Sequence, residues 1–449
     1  MSATMRTGLR RGDAVAGRRL RRRVGAAAVM ALALLTAACT GSGHGTSQVS
    51  PAANAKTGAA TPRPATAVPE VKITPANGAA DADPSAGITV TAAGGTLKNV
   101  TVRTSGDAVS GGLSQGGKVW RSQWALDVSQ AYTVTAVASR SGGGTVTATS
   151  TFRTLTPGRT FTTEILEGYD QTYGVGMPII LYFSQPVTDK AAVERALQIT
   201  TSKPVVGAWY WDYACNMAAT CTYFRPRDYW PAGTTVSFTG HLNGVQAAPG
   251  VYGYHTLTQT FDIGPSLVAV GNTATHRTQI YYNGKLRYDW PISSGRPGDD
   301  TPDGSYLTIE KANPVQMTGP GYSLSVPWSV RFTFSGDYYH DAYWSVGEQG
   351  FQNVSHGCIN LSPADAETYY NLAVPGDPIT ITGSSKGGTW DNGWTEWFLS
   401  WPRYLQGSAL HEAVQAGPGG STFVDPSTLP ASTATAPLQT SPASNSAAA

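Results

Sequence analysis

Charge is scarce in this chain. Only 13% of its 449 residues are Asp, Glu, Lys or Arg, too few for the charged faces of a coiled coil. Cysteine is scarcer still, four residues in all, which excludes a disulfide-dense miniprotein. No predominantly apolar stretch reaches the roughly 20 residues that a membrane-crossing helix needs, so a polytopic membrane protein is excluded too. Turn formers are plentiful, with 51 Gly and 29 Pro. Combined with so few charged helix formers, they point to a mainly β chain of about three domains.

The formal charge of +2 hides an uneven distribution. Arg6, Arg10, Arg11, Arg18, Arg19, Arg21, Arg22 and Arg23 crowd the first 23 residues, opposed only by Asp13. Without that segment, a net loss of seven positive charges, the body carries about −5. A mildly acidic body argues against a nucleic-acid partner. After the arginines, residues 24–38 form an uncharged run, too short to span a bilayer but suited to a signal peptide over 1–38. The small residues before Cys39 resemble the lipobox of bacterial lipoproteins, which implies lipidation of Cys39. Two or three acyl chains would then hold the protein at the membrane.

Residues 39–84 are rich in Ala, Thr, Pro, Gly and Ser and have no aromatic residue. They read as a flexible linker with an r.m.s. reach of roughly 35–40 Å. A similar composition over 417–449 reads as a disordered tail. Between them, 85–157 and 158–263 alternate apolar and polar residues between Gly-rich turns, the pattern of two immunoglobulin-like β-sandwich domains. In an exported chain, Cys215 and Cys221 read as a local disulfide, with a metal site as the alternative. The third block, 264–384, is also β-rich. Asn283-Gly284 marks a hairpin turn, and Ser362, Pro363 and Asp365 mark the start of a short helix running to about Leu372. Trp390, Trp394, Trp397 and Trp401, in the block 385–416, share one face if that segment is helical. They form either a carbohydrate platform or, as the favoured reading, a hydrophobic brace.

Cys358 remains. It sits in Ser355-His356-Gly357-Cys358-Ile359-Asn360, with His340 18 residues upstream. A nucleophilic thiolate needs a neighbouring base and a group that orients the base, and either histidine could serve. On an extended segment His356 and Cys358 would share a face. The N–H groups of Gly357 and Cys358 could stabilise an oxyanion. A structural cysteine among core histidines, and a zinc site of His340, His356 and Cys358, both stay open on residue types alone.

This run, with its upstream histidine, resembles the signature of the L,D-transpeptidases, the YkuD-type catalytic domain. The surroundings of His340 look like the actinobacterial subgroup that carries immunoglobulin-like domains ahead of it. The resemblance implies that Cys358 is the nucleophile, His340 its base and the backbone carbonyl of Asp341 the third member. The Asp341 side chain departs from the family's usual Ser or Gly, and its carboxylate is expected to raise the imidazole pKa. His356, Gly357 and Asn360 are implied to shape the pocket and hydrogen-bond around the thiolate, while Tyr322, Trp344 and Ser355 line the substrate site. A flap over residues 310–328 is expected to be irregular and mobile. The resemblance further implies transfer between peptidoglycan stem tetrapeptides, making 3→3 cross-links through a thioester. A low-pKa thiolate open to carbapenems, no cofactor, and a monomer on the outer face of the cell membrane complete the expectation.

Overall fold

The computed structural model describes residues 69–140, 143–212, 218–319 and 321–432. Cys39 and Cys215 lie outside them, as do the signal peptide, most of the linker and the chain beyond 432. Cys221 is buried and disulfide-bonded, whereas Cys358 is a free thiol.

The first sandwich follows from strand alternation. In Ala131–Ser139, Tyr132, Val134, Ala136 and Ala138 are buried and the residues between them are not, as the two-residue period of a strand requires. That strand pairs with Thr96–Arg103 and Thr145–Arg153. The facing sheet runs Glu70–Thr74, Thr89–Ala93, Val119–Ser122 and Gly111–Ser114. The linker read over 39–84 is therefore too long at its C-terminal end, because Glu70–Thr74 pairs along its length with Thr89–Ala93. Val71 and Ile73 pack against the sandwich core, which supplies the burial that composition alone did not reveal.

The second sandwich is completed from far along the chain. Its six-stranded sheet contains Val205–Asp212, Thr220–Pro226 and Ile179–Phe183, and is extended by the hairpin Ala413–Gly417 and Gly420–Val424. Val205 faces Ala416 across the junction, and Val414 and Ala416 join the core. The tail read as disordered from 417 is thus ordered through this hairpin. Its low-charge, Thr- and Ser-rich composition serves an edge strand as well as it serves a coil.

The four indoles do not share one helical face. A short 3₁₀ turn, Glu396–Phe398, and a five-residue helix, Trp401–Leu405, are separated by extended backbone at Leu399 and Ser400. Instead the segment clasps its neighbours. Trp390 Nε1 donates to Asp212 Oδ2 at 2.9 Å, and Trp397 Nε1 donates to the Gly176 carbonyl at 2.8 Å. The Arg225 guanidinium lies 4.4 Å from the Trp397 ring and 4.3 Å from that of Tyr404. On the other side Phe398 meets Tyr306 of the third domain at 5.1 Å. The brace thus joins the second sandwich to the third domain. Trp397→Ala should lower stability by about 3–5 kcal/mol, as large-to-small changes at buried aromatics do. A thermal or urea unfolding midpoint will show it.

The third domain holds a five-stranded sheet in the order Lys285–Pro291, Arg277–Tyr282, Leu267–Asn272, Pro378–Thr382 and Gly304–Leu307. The hairpin turns at Asn283 and Gly284, both at positive φ, as its type I′ geometry demands. A four-stranded sheet places Glu310–Ala312, Ser329–Arg331, Tyr338–Asp341 and Ile359–Leu361 side by side. The helix Pro363–Leu372 starts where Ser362 Oγ accepts from the Asp365 N–H, and its Tyr369 packs on Tyr339 at 5.0 Å.

Candidate active site

Two parallel strands bring the expected residues together. Tyr338–Asp341 runs beside Ile359–Leu361, with His340 opposite Asn360. Tyr339 is fully buried in the core and its hydroxyl meets Thr278 Oγ1 at 3.1 Å. Strand alternation then turns His340 to the opposite face, where it lines a cavity of about 240 Å³ together with Cys358.

Cys358 ends a turn that is held from within. Ser355 Oγ donates to the Cys358 carbonyl at 2.6 Å and accepts from the Gly357 N–H at 3.1 Å. From the neighbouring loop, Thr301 Oγ1 donates to the Gly357 carbonyl at 2.7 Å. Gly357 has φ +124°, so residues 355–358 are not the extended segment expected from the sequence. His356 is exposed and stacks on Tyr322 at 4.9 Å, while Cys358 is half-buried. Both still border the cavity. The Gly357 N–H, expected to face an oxyanion, is engaged by Ser355 instead.

The electrostatics also depart from expectation. His340 Nδ1 lies 2.8 Å from the Asp341 carbonyl. A carbonyl only accepts, so Nδ1 carries the proton and Nε2 keeps its lone pair. The ring is 3% exposed. Its burial lowers the pKa to about 4, against a smaller upward effect of the Asp341 carbonyl. The Asp341 carboxyl does not lift it as expected, because that group is itself buried, with Oδ1 unpartnered and its pKa raised by desolvation. Nor is Cys358 a low-pKa thiol. Burial and the Asp337 carboxylate push it up to about 12, although a hydrogen bond from the Tyr338 backbone acts the other way. Burial thus favours the neutral form of both the thiol and the imidazole.

Aromatic side chains border the cavity. Trp344 stacks on His340 at 5.9 Å, and Asn360 Nδ2 donates to Ser345 Oγ at 2.9 Å behind it. The segment expected as an irregular flap contains a regular hairpin, Val315–Gly319 paired with Tyr322–Val326. It contributes Met317, Tyr322, Leu324 and Val326 to the cavity wall. Strand pairing satisfies backbone groups that an irregular segment would leave to solvent. Among the described residues, no group of three or more His, Cys, Asp or Glu is arranged to hold a metal ion.

Every expected site residue of the third domain lies in or beside this cavity. Thr301, Ser345 and Asp337 also belong to the surroundings, yet none was singled out from the sequence. Only the Ser335-Gly336-Asp337 turn composition offered a signal, and it announced a tight turn rather than a charge next to sulfur.

Comparison with known proteins agrees with this geometry. A model of the bacterial Ig domain matches residues 79–246, and one of the L,D-transpeptidase catalytic domain matches residues 266–381. L,D-transpeptidase 5 of Mycobacterium tuberculosis is 35% identical over 357 residues, covering 76% of this chain and 77% of its own. L,D-transpeptidase 2 of the same species is 31% identical over 410 residues, covering 88% and 98%. A solved LD transpeptidase in complex with imipenem aligns with 51% of this chain and 100% of its own, at 34% identity and a TM-score of 0.42. With a relative matched over almost its whole length and the catalytic-domain model covering the His340–Cys358 site, the chain belongs to the L,D-transpeptidase family.

Proposed function

We propose that this enzyme cross-links peptidoglycan stems through a thioester on Cys358. The observation that carries the reading is the hydrogen bond of His340 Nδ1 to the Asp341 carbonyl, which fixes the tautomer with a basic Nε2 in the cavity that Cys358 shares. In the first step the thiol proton passes to His340 Nε2 as sulfur bonds to the carbonyl carbon of the third residue of a tetrapeptide stem. The peptide bond to the fourth residue breaks, and the departing D-alanine amine takes the proton from the imidazolium. In the second step the side-chain amine of another stem's diamino acid attacks the thioester, giving a 3→3 cross-link and returning the thiol. Ser355 holds the turn, and the Cys358 N–H is the donor we assign to the oxyanion. His356, Tyr322 and Trp344 shape the entrance, and Asn360 backs it.

The lipobox-like residues before Cys39 support anchoring on the outer face of the cell membrane, within reach of the wall. The partners in this reading are donor and acceptor stems, with no cofactor and no nucleic acid.

Incubated with disaccharide-tetrapeptide, the purified chain should release D-alanine and yield a dimer in mass spectra. Incubated with a carbapenem, it should gain one adduct on the peptide containing Cys358. D-alanine release without dimer would make it an L,D-carboxypeptidase. A folded chain that gains no adduct would leave only a wall-binding role.

A further inference from the structure

We propose that Asp337 is the acceptor-binding residue: its carboxylate receives the ammonium of the second stem and favours aminolysis over hydrolysis. This rests on the thioester reading above. Asp337 closes the turn that leads into the Tyr338–Asp341 strand. Thr333 Oγ1 donates to its Oδ2 at 2.7 Å and Ser335 Oγ does so at 3.1 Å, while the Asp337 N–H donates back to Thr333 Oγ1 at 2.7 Å. One carboxylate oxygen is thus fixed by two hydroxyls. The other, Oδ1, lies against Gly357, in the space that a Cβ would fill there. That places an anion one residue from the nucleophile, at a position that is not part of the largely apolar wall beneath the hairpin. Asp299, the nearby carboxylate, is already paired with Arg296 at 2.8 Å.

A fixed carboxylate beside Cys358 works against thiolate formation, so it does not serve the first step. Once the sulfur is acylated it carries no charge to repel. An acceptor amine of ordinary basicity arrives as an ammonium, whereas the competing water is neutral, so the carboxylate selects by charge. The bound ammonium loses one proton to solvent. As the resulting amine nitrogen bonds to the thioester carbonyl carbon it passes a second proton to neutral His340 Nε2, the C–S bond breaks, and sulfur takes that proton from His340.

The test is Asp337→Asn in the full chain, with disaccharide-tetrapeptide as both donor and acceptor. The ratio of dimer to hydrolysed tripeptide should fall about 10-fold or more, while carbapenem acylation quickens because the charge opposing the thiolate is gone. Asp337→Glu should recover part of the ratio, which a purely structural role would not produce. In the wild type, raising ionic strength should raise the acceptor KM by screening the attraction. An unchanged ratio in Asp337→Asn overturns the proposal, as does an acceptor KM insensitive to salt if that variant fails to fold. Absence of any Cys358 adduct in the wild type would instead overturn the thioester reading itself.

Discussion

Cys358→Ala should take no carbapenem adduct and form no dimer, and His340→Gln should lose about 10³- to 10⁴-fold in kcat/KM. The second figure lies at the upper end of what a general base contributes, and the resting electrostatics account for it. With the thiol pushed up to about 12, little of it is thiolate at pH 7. In the proposed mechanism attack is therefore coupled to proton transfer, with His340, which lines the same cavity, as the base. Gln keeps much of the shape and can still donate to the Asp341 carbonyl, but it has no basic nitrogen. Acylation kinetics of the folded variant decide the matter: a rate within 10-fold of wild type would remove His340 from the role of base.

The same burial sets the pH dependence. Neutral His340 is the working form, and its folded pKa is about 4 rather than 6.5. The acid limb of the acylation rate should therefore lie near pH 4, with no loss around 6.5. Stability follows from linkage. The unfolded chain takes up this proton near 6.5 and the folded chain only near 4. The stability associated with neutral His340 is therefore complete above about 6.5 and is lost as pH falls toward 4. Its size is about 3 kcal/mol, from the separation of the two pKa values. Denaturation midpoints between pH 7 and 4 should fall less steeply in His340→Gln than in wild type.

What the sequence disclosed was local, and what it withheld was tertiary. The Asn283-Gly284 turn and the Ser362 cap depend on residues within four positions of each other, so their chemistry could be read directly. The Ser355–Asn360 run with its upstream histidine was legible through its resemblance to the L,D-transpeptidase signature, since residue types alone leave a structural cysteine and a zinc site open. The order of Glu70–Thr74 and Gly420–Val424 was not. Each lies in a stretch whose composition reads as coil: Glu70–Thr74 is ordered by pairing within the first sandwich, and Gly420–Val424 by pairing with Ala413–Gly417, which itself docks on a strand more than 200 residues back along the chain. The ionisation of the site differs from the expectation for a related reason. A thiol beside two histidines suggests a thiolate, but desolvation is a property of the assembled cavity, and here it depresses the imidazole and raises the thiol together. Asp337 escaped notice because its nearness to Cys358 arises from strand pairing, not from spacing.

Gly357→Ala should cost at least about 10²-fold in acylation rate while leaving the chain folded. The backbone at Gly357 sits at φ +124°, a region that L side chains scarcely enter, and forcing one there costs on the order of 1–3 kcal/mol. A Cβ would also overlap Asp337 Oδ1. The two penalties differ in how they can be relieved. The Asp337 carboxylate ends a rotatable side chain and could swing away if it gave up its bonds to Thr333 and Ser335. The dihedral cannot relax unless the turn itself opens. Opening it breaks the Ser355 bridge to the Cys358 carbonyl and the Thr301 bond to the Gly357 carbonyl, so the sulfur moves relative to His340. A displacement near 1 Å is enough to cost about 100-fold. The double variant Gly357→Ala with Asp337→Ala separates the two causes. If backbone strain dominates, the double variant acylates far more slowly than Asp337→Ala alone although the overlap is gone; a rate equal to that of Asp337→Ala would mean that the carboxylate alone excludes a side chain at this position.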